Sequence, residues 1–253
     1  MSKTFNFTDL MLLIKYAKNR NNSKDEYFLF QKYQGELLVR FLSDTNIEIA
    51  GKDLLDLGCG FGGYSKAFTD AGANVIGLDL SPINNQDEIP MVSGDALTLP
   101  FSDNSFDIVI CASLIEHVTQ PEVLLLEILR TLKSNGFFYL SFPPFFSPIG
   151  GHQFSPYHLL GQKSAIYLSQ KVQLYKQSPW LDNNSEVNRI DFSSAYGRWG
   201  LYPITISMVK KMAMHLPLKI ITQTTRYSPI NFSKIPMLRE FLTWHVQFVF
   251  KKL

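Results

Sequence analysis

Apolar side chains recur at helical spacing through residues 26–42, "EYFLFQKYQGELLVRFL", and the pattern then changes to short, unbroken apolar runs. The first run, "KDLLDLG", enters a glycine-rich turn, and "GGYSKAFTDAG" returns to helical spacing until Gly72 stops it. "ANVIGLD", "IPMVSGD", "FDIVICAS" and "GFFYLSFPP" are four further runs. Between the last two, "PEVLLLEILRTLKSNG" predicts a helix that opens with Pro121 at its first position and closes at Gly136. "TISMVKKMAMHL" predicts a late helix, and "LKIITQTTRY" and "WHVQFVFKKL" supply the sixth and seventh strands. Continuous apolar strands alternating with helices imply a parallel sheet covered on both faces. Right-handed crossovers then build a doubly wound, Rossmann-like α/β fold. The expected sheet has seven mostly parallel strands with helices on both faces, the last strand antiparallel.

That rhythm fails between residues 145 and 204, after the fifth strand. The stretch is rich in Pro, Gly, Asn and Ser and predicts one amphipathic helix near 158–175. An insertion of this length at the carboxyl edge of a sheet suits a lid or substrate-recognition segment. Residues 1–45 form an N-terminal helical segment, its helix expected against the sheet or over a cofactor pocket. Residues 1–253 are read together as a single domain.

Composition narrows the class. Hydrophobic residues make up 45% and charged residues 18% of 253, enough for a sizeable core. A net charge of +2 gives no argument for a nucleic-acid partner. Cys59 and Cys111 lie in apolar segments rather than in spaced pairs, which fits a reducing compartment better than a disulfide framework. The N-terminal apolar stretch is short and lacks a small-residue cleavage site, and no run of about 18 apolar residues occurs. A cytoplasmic globular protein is expected.

Candidate chemistry begins at "DLLDLGCGFGGYSKAF", residues 53–68. Glycines directly after a strand let the backbone turn sharply and approach a ligand. The helix that follows aims its first N–H groups at whatever is bound. "GCGFGG" satisfies the dinucleotide pattern G-x-G-x-x-G, a weak signal alone. Asp79, 21 residues after Gly58, ends the second strand, where a carboxylate accepts from ribose hydroxyls in both NAD and adenosyl-cofactor enzymes. Asp56 discriminates between them. Its charge repels a pyrophosphate but attracts a cofactor carrying an ammonium and a sulfonium, which favours S-adenosylmethionine.

Four segments in order, "LLDLGCGFGGYS", "VIGLDLSP", "GDALTLPFSDNSFDIVICASLIEHV" and "PEVLLLEILRTLKSNGFFYLSFP", resemble the class I S-adenosylmethionine-dependent methyltransferases, most of all the small-molecule branch that includes quinone-biosynthesis enzymes. The likeness covers roughly residues 30–145 and the last two strands. It implies that Gly58 and Gly60 contact the methionine portion, with Asp56 near its amino group. Asp79 would hold the ribose, Leu80 would flank the adenine, and Asp95 would accept from the adenine amino group with the backbone of Ala96 alongside. Ser113 would line the cofactor wall.

On the acceptor side, methyl transfer by in-line displacement depends mainly on positioning and water exclusion, so a general base is needed only where the acceptor must lose a proton. His152, after two glycines beyond the fifth strand, is the candidate base; the alternative is that it only leads into a helix, with Ser155 as N-cap and Pro156 as first residue. In some methyltransferases of this kind a Glu and a neighbouring His after the fourth strand help hold a divalent metal. Glu116, His117 and His152 are suitable types, but Ser113 stands where the fuller pattern carries another Glu, and no metal is expected. The insertion's aromatics, Tyr157, Tyr167, Tyr175, Trp180, Tyr196, Trp199 and Tyr202, suit a pocket or lid packing equally. Arg189 and Arg198 suit an anionic substrate group or plain surface charge. The helix "LLGQKSAIYLSQKVQLYK" leaves shallow membrane contact open, with a solvated face as the default.

The resulting expectation is a methyltransferase that moves a methyl group to an oxygen, carbon or nitrogen of a small molecule. An NAD-dependent oxidoreductase or epimerase is the second reading, and a catalytically silent S-adenosylmethionine-binding partner protein the third. An RNA or protein acceptor is the remaining one. The acceptor's identity and the oligomeric state are not written in these motifs.

Overall fold

A computed structural model describes residues 6–82, 89–172, 200–228 and 230–253. The strands are β1 (Asp53–Leu57), β2 (Asn74–Asp79), β3 (Met91–Ser93), β4 (Phe106–Ala112), β5 (Leu132–Phe142), β6 (Leu218–Thr225) and β7 (Val246–Lys252). They form one seven-stranded sheet in the order β3-β2-β1-β4-β5-β7-β6. β1 runs parallel to β2 and β4, β2 parallel to β3, and β7 antiparallel to β6. The sheet is therefore the one that the apolar runs predict. Leu54, Leu55 and Leu57 of β1 and Val109, Ile110 and Cys111 of β4 are fully buried, as strands covered on both faces must be. β6 alternates in burial instead, as befits an edge strand paired antiparallel.

The helices are α1 (Phe7–Asn19), α2 (Lys24–Asp44), α3 (Gly63–Asp70), α4 (Pro121–Thr131), α5 (Gln162–Val172), α6 (Ile206–Met214) and the single-turn α7 (Arg239–Leu242). α4 ends five residues before Gly136, earlier than its apolar spacing predicts, and β5 begins at once. The cause lies far off in sequence: the carbonyls of Arg130 and Thr131 accept from the N–H groups of Asn104 and Ser105 instead of continuing the helix. Lys133 then bridges Asp53 and Asp107 at 2.8 and 2.9 Å. No helix among the described residues is long and apolar enough to cross a membrane.

The chain divides into two units. The first comprises Met1–Cys111 and Leu125–Phe138, and holds α1–α3 and β1–β3. The second takes in Ala112–Leu124 and the chain beyond Tyr139, with α5–α7, β6 and β7. In the first unit α2 lies across the glycine loop and α3. A Cβ on Gly63 would meet the Cβ of Gln31 at 2.4 Å, and one on Gly35 would meet that of Ala67 at 2.7 Å, so two glycines let these helices touch backbone to backbone. α2 thus lies over the glycine loop.

In the second unit the inserted segment is fastened at its base, where the Phe145 N–H donates to the Ile204 carbonyl at 2.9 Å. The helix expected near 158–175 is two pieces, a 3-10 turn over Tyr157–Leu160 and then α5. Gly161, at φ 88°, separates them because no helix passes through that conformation. Ser155 is not an N-cap: its hydroxyl has no hydrogen-bond partner among the described residues. Tyr175, Trp180, Arg189, Tyr196, Arg198 and Trp199 lie outside the described residues.

Candidate functional site

In the first unit the glycine loop follows β1 at the point where the strand order reverses, the position at which open α/β sheets bind ligands. Gly58, Gly60 and Gly62 all have positive φ, between 53° and 79°, which side-chain-bearing residues rarely adopt. The loop is tied to the end of β2, since the N–H groups of Gly58 and Cys59 both donate to the Leu78 carbonyl at 2.8 and 3.1 Å. Register aligns Leu57 with Leu78 and Asp79 with Ser93. Asp56, Asp79 and Asp95 consequently lie at or just beyond the carboxyl ends of three neighbouring parallel strands.

The three acids differ in what holds them. Asp56 is 2% exposed and accepts from the Ser65 hydroxyl at 2.6 Å. Burial, with the charge of Asp79 acting in the same sense, pushes its pKa up to about 6 against the relief given by Ser65. Asp79 accepts the Gly60 N–H at 3.0 Å on one oxygen and the Ser81 N–H at 3.1 Å on the other. It braces the loop, and each oxygen keeps a lone pair for a further donor. Asp95 is exposed and accepts the Leu97 N–H at 2.9 Å, so it caps a turn with one oxygen while Ala96 beside it is buried. Leu80 follows directly on Asp79 and is half-buried.

The structure adds a residue that no motif singles out. Gln31 of α2 brings its side-chain nitrogen to 3.5 Å from where a Gly60 Cβ would be, and its Oε1 is buried without a hydrogen-bond partner among the described residues. A glutamine on an amphipathic helix looks like any surface residue in a sequence. Only the close fit of Gly63 against α2 places it on the loop. Tyr27 and Phe61 pack edge to face beside it, ring centres 5.4 Å apart.

In the second unit Ser113 sits at φ 56° and its hydroxyl is 3.1 Å from Nε2 of the buried His245. Glu116, His117 and His152 gather there, one ligand atom of each lying within 4.8 Å of the others. Glu116 and His117 occupy a 3-10 turn, Ile115–His117, that follows β4, and His152 begins another, His152–Phe154. Burial holds the His117 imidazole below the usual histidine range. A surface recess of about 740 Å³ in the first unit is lined by Asp53, Asn74 and Phe106, the first residues of β1, β2 and β4, at the opposite ends of those strands from the glycine loop.

With that geometry in view, residues 55–140 match the family described as methyltransferase domain. That stretch, about a third of the chain, is similar to a methyltransferase domain. A methyltransferase of Mycolicibacterium paratuberculosis whose function is uncharacterised is 37% identical over 120 residues, 44% of this chain and 47% of that protein. The chain thus spans about half the length of the curated relatives it matches. An S-adenosylmethionine-dependent methyltransferase from Mesorhizobium loti shares the fold with a TM-score of 0.56 at 18% identity, covering 86% of this chain and 97% of that one. The solved complex of the Haloferax volcanii Trm112 methyltransferase activator with a methyltransferase gives 0.55 at 16% identity, over 94% and 97%. The chain shares the fold of these solved methyltransferases.

Proposed function

We propose that the chain transfers a methyl group from S-adenosylmethionine to an oxygen, carbon or nitrogen of a small-molecule acceptor. The observation that carries this reading is the trio of acids on adjoining parallel strands around a positive-φ glycine loop, with Asp56 buried where a dinucleotide's pyrophosphate would meet a carboxylate. When bound, the cofactor supplies a methyl group on a positively charged sulfur, open to in-line displacement by the acceptor.

The residues fit that cofactor. Asp56 offers the buried carboxylate for an ammonium, Asp79 the lone pairs left for ribose hydroxyls, and Asp95 its second oxygen for the adenine amino group. Gly58 and Gly60 hold the turn open for the methionine portion, and the unpartnered Oε1 of Gln31 offers a further acceptor there. Leu80 and Ala96 flank the adenine in this reading. Ser113 and His152 belong to the second unit, and their roles rest on the likeness alone, which implies a cofactor-side place for Ser113 and an acceptor-side one for His152. Small-molecule chemistry is favoured over nucleic acid by the net charge of +2. The quinone-biosynthesis likeness names one class of acceptor to try first.

The test is parallel calorimetry of the purified chain with S-adenosylmethionine, S-adenosylhomocysteine and NAD. Saturable heat with the two adenosyl compounds alone supports the reading. Heat with NAD alone overturns it in favour of an oxidoreductase or epimerase. Binding of the adenosyl compounds with no turnover on any acceptor in a broad small-molecule panel would leave the silent partner protein as the better account.

A further inference from the structure

We infer that the second unit docks on an anionic lipid surface through the connection between β6 and β7 and the face of α6 beside it. The inference starts from an uneven charge. Residues 201–253 hold eight lysines and arginines and one acid, a net charge of +7, although the whole chain carries only +2. The acid, Glu240, is engaged within the fold. Its two oxygens accept the N–H groups of Ile206 and Ser207, both at 2.9 Å, and Arg239 stands 3.5 Å from it. Lys211 and Lys234 are exposed, whereas the Glu240 side chain is 14% exposed, so this stretch shows water its cations rather than its acid.

The second observation is an inversion of burial. The connection between the two strands, residues 226–245, buries Ser233 and Thr243 completely. Ile235, Met237, Leu238, Phe241, Leu242 and Trp244 are between 41% and 87% exposed. A lone apolar side chain in water needs no explanation, but six within ten residues make a patch of the kind that marks an interaction surface.

A built scaffold holds these side chains outward. The Arg226 N–H donates to the His245 carbonyl at 2.9 Å across the base of the connection. The Gln223 side chain donates to the Ser233 carbonyl, and the Ser233 N–H to Asn231 Oδ1 at 3.1 Å. Glu240 ties α7 to the start of α6, where the Ser207 hydroxyl also accepts from Arg239 at 2.9 Å. Lys211 and Met214 follow Ser207 at four and seven residues, on the same face of α6, and Met214 is 80% exposed. The basic and apolar groups thus continue from the connection onto the helix.

An anionic bilayer surface complements both features. Its headgroups attract the lysines, and its headgroup–acyl boundary takes up leucine, methionine and phenylalanine, with tryptophan favoured at that depth. Such docking lies on the surface and requires no spanning helix. A second copy of the chain would set one +7 stretch against another. A nucleic acid would answer the charge but not Met237, Leu238 and Leu242, since phosphates are held by cations, hydroxyls and N–H groups. The inference concerns the second unit alone and stands whether or not the methyl-transfer reading holds.

The test is co-flotation of the full chain with phosphatidylcholine vesicles, with and without phosphatidylglycerol. The chain should float with the mixed vesicles, bind pure phosphatidylcholine at least about tenfold more weakly, and be released by added salt. Met237→Glu with Leu238→Glu should weaken binding at least about tenfold, and so should Lys211→Glu with Lys234→Glu. All four positions are exposed, so melting midpoints should stay at the wild-type value. Met11→Glu, at an exposed apolar position of the first unit, should leave binding unchanged. No flotation with the mixed vesicles would overturn the inference. So would flotation that survives both pairs of substitutions, or that Met11→Glu weakens equally. Dimers in sedimentation velocity, or a shift with single-stranded RNA, lost in Met237→Glu with Leu238→Glu and unaccompanied by vesicle binding, would overturn it in favour of that partner.

Discussion

Two carboxylates that follow strands of this sheet are treated in opposite ways. Asp79 in the first unit has a backbone N–H on each oxygen, from Gly60 and Ser81. Glu116 in the second unit is buried and has none among the described residues. The first acid is part of a scaffold that is complete within a few residues of chain. The second is held in place through its main chain, where its carbonyl accepts the Tyr202 N–H. Charged groups satisfied by their own fold stabilise it; those left unsatisfied cost stability and are retained where they bind. Four experiments would break or sharpen that contrast, and they are ordered by expected size.

The largest effect tests whether the first unit is a closed scaffold. Gly63→Val places new atoms where the Gln31 Cβ stands at 2.4 Å and the Lys32 nitrogen at 2.6 Å. Backbone cannot yield as a flexible side chain can, so α2 must lift from the loop. A loss of about 3 kcal/mol in denaturant melts is expected, with cofactor binding lost alongside. An unchanged midpoint would mean that α2 is not seated on the loop.

The second pair sets the two acids directly against each other. Asp79→Ala removes two charge-assisted acceptors and should weaken adenosyl-cofactor binding by roughly 1.5–3 kcal/mol, with some loss of stability. Glu116→Gln should act the other way and raise stability by about 1 kcal/mol, because an amide can donate as well as accept where the glutamate oxygens meet no donor among the described residues. Thermal melts of both variants decide it. If both fall together, Glu116 is satisfied by its surroundings and the contrast fails.

How much of this was legible in the sequence follows from the same difference. The strands, their order of appearance and the glycine loop could be read because each is specified by contiguous residues: Leu54, Leu55 and Leu57 form an unbroken apolar run, and Gly58 and Gly60 follow at once. Asp56 and Asp79 fell to the same local logic. The early end of α4 escaped because its cause is a pair of N–H groups some 26 residues upstream, at Asn104 and Ser105. Gln31 escaped because only close packing brings it to the loop. The grouping of His152 with Glu116 and His117 depends on the turn after Gly151 and on backbone at Gly200 and Tyr202, none of which a spacing rule covers.

The third effect uses pH. Asp56 has a folded pKa of about 6, above its ordinary 3.8, with burial the larger cause and Asp79 the lesser. A raised carboxyl pKa means that the folded state prefers the proton. The group's contribution to stability is full below about pH 4 and is lost as pH rises through about 6, a span worth about 3 kcal/mol. A cationic ligand reverses the preference by pairing with the ionised form. Affinity for S-adenosylhomocysteine, whose ammonium is retained, should therefore rise about tenfold between pH 5 and pH 7.5. Asp56→Asn should flatten the profile. A flat profile in the wild-type chain would remove Asp56 from contact with the ammonium.

The smallest effect concerns Gln31, which resembles Glu116 in having a buried oxygen without a hydrogen-bond partner among the described residues. If the contrast between the units is one of self-satisfied against ligand-directed groups, Gln31 belongs with Glu116 despite its location. Gln31→Leu keeps most of the volume and removes the orphaned acceptor, so the ligand-free chain should be as stable as the wild type or slightly more so. Cofactor affinity should fall by about 1 kcal/mol, roughly fivefold, as expected for one net hydrogen bond. The two readings of the residue separate cleanly. A packing role predicts lost stability and unchanged affinity per folded molecule; a ligand role predicts the reverse, and calorimetry on the variant alongside its melt distinguishes them.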